Sequence, residues 1–506
     1  MTENHLFAQF RTAIDHPDAV FVETEKGACI TYGDMLAESA RIARALTAMG
    51  LMPGDRVAVQ VEKSVAALML YLGAVRAGAV FLPLNTGYTA SEVGYFLQNA
   101  EPTLFVCDPA KQRDLAQVAS TAGVPHLETL DADGNGTLTE RWSQEPAEFE
   151  DVPRGPEDPA AILYTSGTTG LSKGAMLSHD NLASNAHTLR RAWRFTADDV
   201  LIHALPIFHT HGLFVATNIT LVAGGSMIFL PKFDPDRVLS VMPRATAMMG
   251  VPTFYTRLLA HSGLTREAAG GMRLFVSGSA PLLAETHAQF RDRTGHAILE
   301  RYGMTETNMN TSNPYDGDRR AGTVGFPLDD VALRIVDPDS GRRLDTGEVG
   351  VIEVKGPNVF QGYWRMPEKT AAEFRPDGYF ITGDLGVIDA DGYVSIVGRA
   401  KDLIISGGFN VYPKEIESAI NKVAGVGESA VIGVPHPDFG EGVTAVIVRA
   451  PDHTVSDAEI LAQLDGKLAR FKQPKKVLFV DELPINAMGK VQKNVLRDRF
   501  KDTYAQ

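Results

Sequence analysis

The sequence predicts an α/β protein built from more than one domain. Three observations carry that prediction. Helical and strand-like patterns take turns over most of the first 330 residues, the texture of parallel sheets covered by helices. From about Val331 short strands rich in Gly and Asp replace that alternation, which predicts a small β-rich subdomain. After Arg399 the pattern changes again into mixed strands and helices over about a hundred residues, enough for a separate α+β domain. A chain of 506 residues is also longer than one hydrophobic core usually organises.

DRVAVQV (55–61) reads as a strand, Ser64 to Ala77 as a helix, and AVFLPLN (79–85) and TLFVCD (103–108) as further strands. The apolar run VAALMLYLGAV (65–75) is too short to span a bilayer and suits a buried helix. A polar, Asp/Gly/Pro-rich connection fills 131–159. DVLIHALPIFHTHGL (199–213) is strand-like, which would set His209 and His211 on one strand face. GSMIFL (225–230) and RLFVSGSAPL (273–282) each carry a strand, the second ending in a turn of Ser277, Gly278, Ser279, Ala280 and Pro281. HAILERYGMTETN (296–308) follows, and loops after strand ends are where open α/β sheets place ligands. In the C-terminal part, SAVIGVP (429–435), TAVIVR (444–449), a helix around 456–470 and KKVLFVDELP (475–484) make up the α+β unit.

The chemistry begins at TSGTTGLSKG (165–174), which follows the apolar stretch AAILY (160–164). Gly167, Gly170 and Gly174 let backbone amides approach an anion, and the hydroxyls of Thr165, Ser166, Thr168 and Thr169 add donors. Lys173 places a point charge among them. The spacing differs from the common nucleotide P-loop, in which Gly-Lys-Ser/Thr ends the motif. A flexible linker has a similar composition but seldom follows an apolar strand with a lysine amid glycines.

Composition narrows the partners. A net charge of −14 argues against a nucleic-acid or anionic-membrane surface, so basic side chains must be concentrated at any anion site. The two cysteines, Cys29 and Cys107, form no CxxC or zinc-like spacing, and read as inert thiols. MTENHLFAQF lacks a secretory signal pattern, and a cytoplasmic enzyme is the expectation.

The loop, YGMTE (302–306), TGD (382–384), GRAKD (398–402) and P-x-x-x-x-G-K (484–490) stand in that order. The set closely resembles the adenylate-forming enzymes: acyl-CoA synthetases, luciferases and nonribosomal peptide adenylation domains. The resemblance covers essentially the whole chain. It implies a large N-terminal domain of αβαβα layers with a small β-rich subdomain (1–398), and a small mobile α+β C-terminal domain (399–506). It implies a carboxylate activated by attack on the α-phosphate of ATP, then transferred to coenzyme A, with Mg²⁺ as cofactor. Two anions meet in that reaction, so the site must supply positive charge.

The resemblance also implies roles. Thr165, Ser166, Gly167, Thr168, Thr169, Gly170 and Lys173 would hold the β- and γ-phosphates. Thr305 would contact the α-phosphate and Glu306 would hold Mg²⁺. Ser277, Gly278, Ser279 and Ala280, with Glu300, Arg301, Tyr302, Gly303 and Met304, would flank the nucleotide, Tyr302 stacking on adenine. Asp384 and Arg399 would reach the ribose, and Lys490 would be the catalytic lysine between carboxylate and α-phosphate. Lys401 would be the hinge of a rotation that withdraws Lys490 and brings Ser406, Gly407 and Gly408 to the thiol tunnel.

For the acid, Arg301 directly precedes YGMTE and can pair bidentately with a second carboxylate. ERYGMTE followed by TNMNTSNPYDGDR (307–319) looks very like the malonyl-CoA synthetases within the family. That implies malonate, and methylmalonate as a further substrate, with His209, Arg301, Ser279 and Met304 at the acyl pocket and MGVPTFY (249–255) lining it. Another short-chain or dicarboxylic acyl-CoA synthetase, a stand-alone enzyme loading a carrier protein, and a silent nucleotide-binding scaffold are the alternatives. The expected partners are small molecules only, with no nucleic acid, membrane or obligate protein partner.

Overall fold

A computed structural model describes residues 3–165, 172–407, 409–465, 467–486 and 490–505. Packing divides the chain into two compact units. One comprises Met1–Ala332 and Val354–Phe380, the other Leu333–Glu353 and Ile381–Gln506. The second unit thus gathers residues 381–398 with the C-terminal part, whereas the sequence reading sets a border at Arg399.

Among the described residues, the first unit holds two large sheets. One runs Gly362–Tyr363, Lys173–Ser178, Pro159–Thr165, Val80–Pro83, Arg56–Gln60, Leu104–Cys107, His126–Thr129. Its last five strands are parallel, and Lys173–Ser178 turns back antiparallel on Pro159–Thr165. The other runs Phe326–Pro327, Asn308–Ser312, Leu299–Met304, Leu274–Ser277, Ala247–Gly250, Val200–His203, Ser226–Phe229, Val20–Thr24, Cys29–Thr31. Its six middle strands, from Leu299–Met304 to Val20–Thr24, are parallel. The predicted strands of the first 330 residues fall within these sheets, with the exception at 199–213 described below.

The predicted helix spans Val65–Arg76, is capped by Ser64, and is buried from Ala67 to Arg76. An apolar helix with no polar face fits a layer between two sheets. Tyr71 shows this, with Phe81 of one sheet 5.4 Å away on one side and Phe214, beside the other sheet, at 5.7 Å. The connection over 131–159 is less irregular than its composition suggests. It contains the helix Thr137–Trp142, because Leu138 and Trp142 are spaced to bury together.

Among the described residues the second unit holds two sheets. It carries the strands Ala332–Val336, Gly350–Lys355, Phe380–Ile388 and Val394–Arg399 as one sheet. A second sheet contains Phe409–Val411, Ile404–Ser406, Gly440–Arg449, Val426–His436 and Lys476–Phe479. The helices Pro413–Ile420 and Asp457–Leu464 cover one face through Ile416, Ile420, Ile460 and Leu464.

Candidate active site

The proposed phosphate loop joins two antiparallel strands, with Thr165 paired to Lys173 at its base. The chain thus passes from one strand to its antiparallel neighbour, and not from a strand into a helix as at a common P-loop. Ser166, Gly167, Thr168, Thr169 and Gly170 lie outside the described residues. At the base, Lys173 Nζ lies 3.9 Å from the centroid of the Tyr363 ring and 3.2 Å from Glu373 Oε1. The Tyr363 hydroxyl stands 3.0 Å from Glu306 Oε1 and 2.7 Å from Glu373 Oε2. Its one proton cannot serve both carboxylates at once. Burial, then Glu306, push that phenol far above its ordinary value, so it remains a neutral donor. Burial opposes ionisation of Glu373, yet hydrogen bonds from Lys369 and Tyr363 and the charge of Lys173 hold it below the usual carboxylate range. Neither Tyr363 nor Glu373 is singled out by any motif; they reach Lys173 across about 200 residues of sequence.

Thr305 and Glu306 sit in the tight turn between Leu299–Met304 and Asn308–Ser312. The register slips between Tyr302 and Gly303, a bulge of the kind that re-aims side chains beside active sites. Gly303 is required there: a Cβ would lie 1.8 Å from the Asn308 carbonyl oxygen. Asn308 closes the turn in the left-handed region, at φ 48°. Asn358 Nδ2 braces it from behind, donating to the carbonyls of Thr307 at 2.7 Å and Met309 at 3.1 Å. Glu306 is buried, and Thr165 Oγ1 lies 3.5 Å from its Oε1. A buried carboxylate beside a threonine hydroxyl suits Mg²⁺, which takes few protein ligands and completes its shell with phosphate oxygens and water. Among the described residues there is no cluster of three or more metal-ligating side chains.

Four residues before Thr305 on the same strand is Arg301. It is 3% exposed, and its Nε and Nη2 have no hydrogen-bond partner among the described residues. No carboxylate there forms an ion pair with it, Glu300 included; Glu300 instead accepts from the Leu282 amide at 3.1 Å. Burial pushes the guanidinium down to about 9, with Tyr255 acting the other way, so it remains a cation at neutral pH. Its plane packs on Gly278, where an added Cβ would stand 2.3 Å from Cζ. The adjacent Ser279 adopts φ 69°, an uncommon left-handed conformation for serine that turns its hydroxyl to within 3.4 Å of His211 Nδ1.

His211 is also fully buried, and its Nε2 has no partner. Burial, then the charge of Arg301, depress it well below its ordinary value, so the ring is neutral. Where Ser279 donates to Nδ1, the ring proton sits on Nε2. Arg301 and His211 then offer unpaired donors at one buried place. Among the described residues the hydroxyls of Thr210, which precedes His211, and of Ser277, which precedes Gly278, are likewise buried without partners.

Here the expectation for 199–213 is corrected. The strand stops at His203, and His211–Thr217 forms a π-helical turn, so His209 and His211 do not share a strand face. Pro206 cannot continue a ladder, and Gly212 packs so close to the Pro206 carbonyl that a Cβ would lie 2.0 Å from it. His209 is half-buried, and its Nδ1 meets the His211 amide at 3.4 Å. Arg301 is near enough to His211 for its charge to act on that ring. His209 and His211 are equivalent in sequence, and the turn sets them apart.

In the second unit, Asp384 is buried and pairs across its hairpin with Arg399, Nε to Oδ1 2.6 Å. Gly383 at φ 71° and the Thr382 hydroxyl, which accepts from the Asp384 amide, fix that carboxylate. Lys401 lies in a one-turn helix, Ala400–Asp402, anchored by Arg497 on Asp402 at 3.0 Å. Ser406 is buried and Gly407 adopts φ 60° at a hairpin between Ile404–Ser406 and Phe409–Val411; Gly408 lies outside the described residues. Lys490 is exposed, its backbone tied to Asn486 in both directions, at 3.0 Å and 2.8 Å.

A turn bearing a threonine and a buried carboxylate, a lysine at a glycine-rich hairpin and a vacant pair of buried donors define an enzyme that brings a polyphosphate and an organic acid together. The model of the AMP-binding enzymes matches residues 10–364, and that of the AMP-binding enzyme C-terminal domain matches 415–490. The chain belongs to the AMP-binding enzyme family. A feruloyl-CoA synthase from Amycolatopsis sp is 37% identical over 94% of both chains. A malonate–CoA ligase from Arabidopsis thaliana is 32% identical, covering 99% of this chain and 91% of the relative. The crystal structure of ATP-bound MatB from Rhodopseudomonas palustris superposes with a TM-score of 0.97 at 63% identity, over 99% of each chain.

Proposed function

We infer that this chain ligates malonate to coenzyme A through a malonyl-adenylate, consuming ATP and releasing AMP and diphosphate. The observation that carries the choice of acid is the buried Arg301 guanidinium with Nε and Nη2 unpaired beside His211. An apolar or aryl acid would leave that cation unpaired in the complex, at a cost of several kcal/mol. A dicarboxylate uses one carboxylate for chemistry and the other to satisfy these donors bidentately.

In this reading Thr165 and Lys173 hold the terminal phosphates, and Lys173 exchanges Glu373 for them. Thr305 contacts the α-phosphate. Glu306 would hold Mg²⁺, which when bound neutralises phosphate charge. Asp384, held open by Arg399, accepts the ribose hydroxyls. Ser277, Gly278, Ser279, Ala280, Glu300, Tyr302, Gly303 and Met304 frame the nucleotide and acyl group. Arg301, His209 and His211 fix the distal carboxylate so that the proximal one meets phosphorus. Lys490 stabilises the charge moved in that attack. Lys401 is the proposed hinge of a C-terminal domain taken as 399–506, and Ser406, Gly407 and Gly408 serve thiol delivery. The partners are small molecules, and the reaction belongs in the cytoplasm. Among the described residues no helix is long and apolar enough to cross a membrane.

A panel of acids tests the reading. Malonate is expected to exceed acetate, octanoate and ferulate in CoA-dependent AMP release by about tenfold or more, the discrimination set by one unpaired buried charge. Equal or better turnover with any of those three removes malonate. Methylmalonate is expected within about 10–200-fold of malonate, the effect of one methyl group on fit. Free CoA against a carrier protein as acceptor separates ligase from carrier loading.

Gly278 gives a second check. Gly278→Ala puts a methyl group where the guanidinium lies, 2.3 Å from Cζ. The malonate KM is expected to rise about tenfold or more, with overpacking that destabilises the fold by roughly 1–3 kcal/mol in a melting curve. An unchanged KM means that Arg301 does not set the acid.

A further inference from the structure

Lys63 follows the strand Arg56–Gln60 and no motif includes it, yet it is spent on one residue of the other sheet. Its Nζ lies 2.9 Å from His203 Nδ1 and 2.8 Å from the His203 carbonyl oxygen, over the Phe229 ring at 4.2 Å from the centroid. His203 is 1% exposed. Its other nitrogen, Nε2, stands 2.9 Å from the carbonyl of Gly212, which also accepts from Thr217 Oγ1 at 3.2 Å. Gly212 is the residue after His211, inside the π-helical turn His211–Thr217.

The protons can be placed. The Gly212 carbonyl oxygen only accepts, so at 2.9 Å it puts the ring proton on Nε2 and leaves Nδ1 to accept from Lys63 Nζ. That tautomer alone can donate to the Gly212 carbonyl. Burial holds both Lys63 and His203 below their ordinary values, which keeps the imidazole neutral with a single proton to place. π-Helical turns are strained and concentrate at functional sites. This one is tied at its second residue by a side chain from outside the turn.

We propose that Lys63 and His203 are positioning residues for acid selection: the chain Lys63 Nζ, His203 imidazole, Gly212 carbonyl sets the turn that holds His211 beside Arg301. The proposal rests on the malonate reading for the ligand, and on the hydrogen bonds alone for the coupling.

The test is ATP–pyrophosphate exchange by the full chain at varied malonate and varied ATP. His203→Gln can still place an amide N–H near the Nε2 position, whereas His203→Asn reaches only the Nδ1 position. The expected result is a malonate KM raised about tenfold for His203→Asn and at least about threefold for Lys63→Met, but within about threefold of wild type for His203→Gln. The ATP KM should stay within about twofold for all three. Equal effects of Asn and Gln, or malonate and ATP KM values rising together, overturn the proposal. If neither histidine variant folds, an unchanged malonate KM in Lys63→Met overturns it. Wild-type exchange separates the two readings: without malonate-dependent exchange the malonate reading falls, and the variants are then compared on whichever acid the wild type activates.

Discussion

Replacing Arg301 by methionine is expected to lower kcat/KM for malonate by about 10²–10³, the loss typical of removing one partner from a buried charge pair. The ATP KM should stay within about threefold, because nothing in the geometry puts Arg301 at the phosphate end. The stability of the free protein should move the other way. Arg301 is 3% exposed and two of its nitrogens have no partner among the described residues, so its buried charge is poorly compensated by the protein itself. Replacing it with an apolar side chain of similar length is expected to leave Tm unchanged or raise it. Malonate should raise the wild-type Tm by mass action and have no such effect on the variant. Melting curves with and without about 1 mM malonate, about a thousandfold above a micromolar Kd, read both effects. A variant that loses stability and keeps its malonate KM would reduce Arg301 to a packing residue.

What could be read from the residues and what could not divides along sequence separation. The strand Pro159–Thr165 entering a glycine-rich turn, the buried helix Val65–Arg76 and the strand Leu299–Met304 all announce themselves in windows of ten residues. Gly303 was legible too, since a glycine inside a strand pattern marks a bulge or a close approach. The π-helical turn at His211 was not. Apolar residues in 199–213 satisfy a strand pattern as well as a short buried helix, and Pro206 was the signal that should have ended the strand. Its cost was the expectation that His209 and His211 share one strand face. The φ of Ser279 is set by its turn and by Arg301, and no local pattern announces it. Tyr363 and Glu373 beside Lys173, and Lys63 beside His203, are pairings over 140 residues or more, fixed only once the sheets assemble. The same holds for the unit boundary. Residues 333–353 look like one more pair of short strands in sequence, but in space they belong with 381–506.

Lys490→Ala should separate the two half-reactions. Malonate-dependent ATP–pyrophosphate exchange is expected to fall by at least about 10²–10³, the cost of removing one donor aimed at charge that develops in the transition state. Thioester formation from supplied malonyl-adenylate and CoA should stay within about threefold of wild type. The segment around Lys490 suits a lysine needed in one step only. Its backbone is fixed by mutual hydrogen bonds with Asn486 and a bridge between Ile485 and Val491, while the residue itself is exposed. The cation is thus carried at an exposed position rather than buried in its own unit. Lys490→Arg retains the charge but spreads it over a planar fork, and a compact ammonium at a reacting phosphorus is poorly replaced by it. Exchange by the arginine variant should therefore remain well below wild type, though above alanine. If both half-reactions fall together in Lys490→Ala, the lysine supports the fold or CoA binding rather than adenylation. If neither falls, the charge at the reacting centre comes from elsewhere, and Lys173 at the phosphate hairpin becomes the residue to replace next.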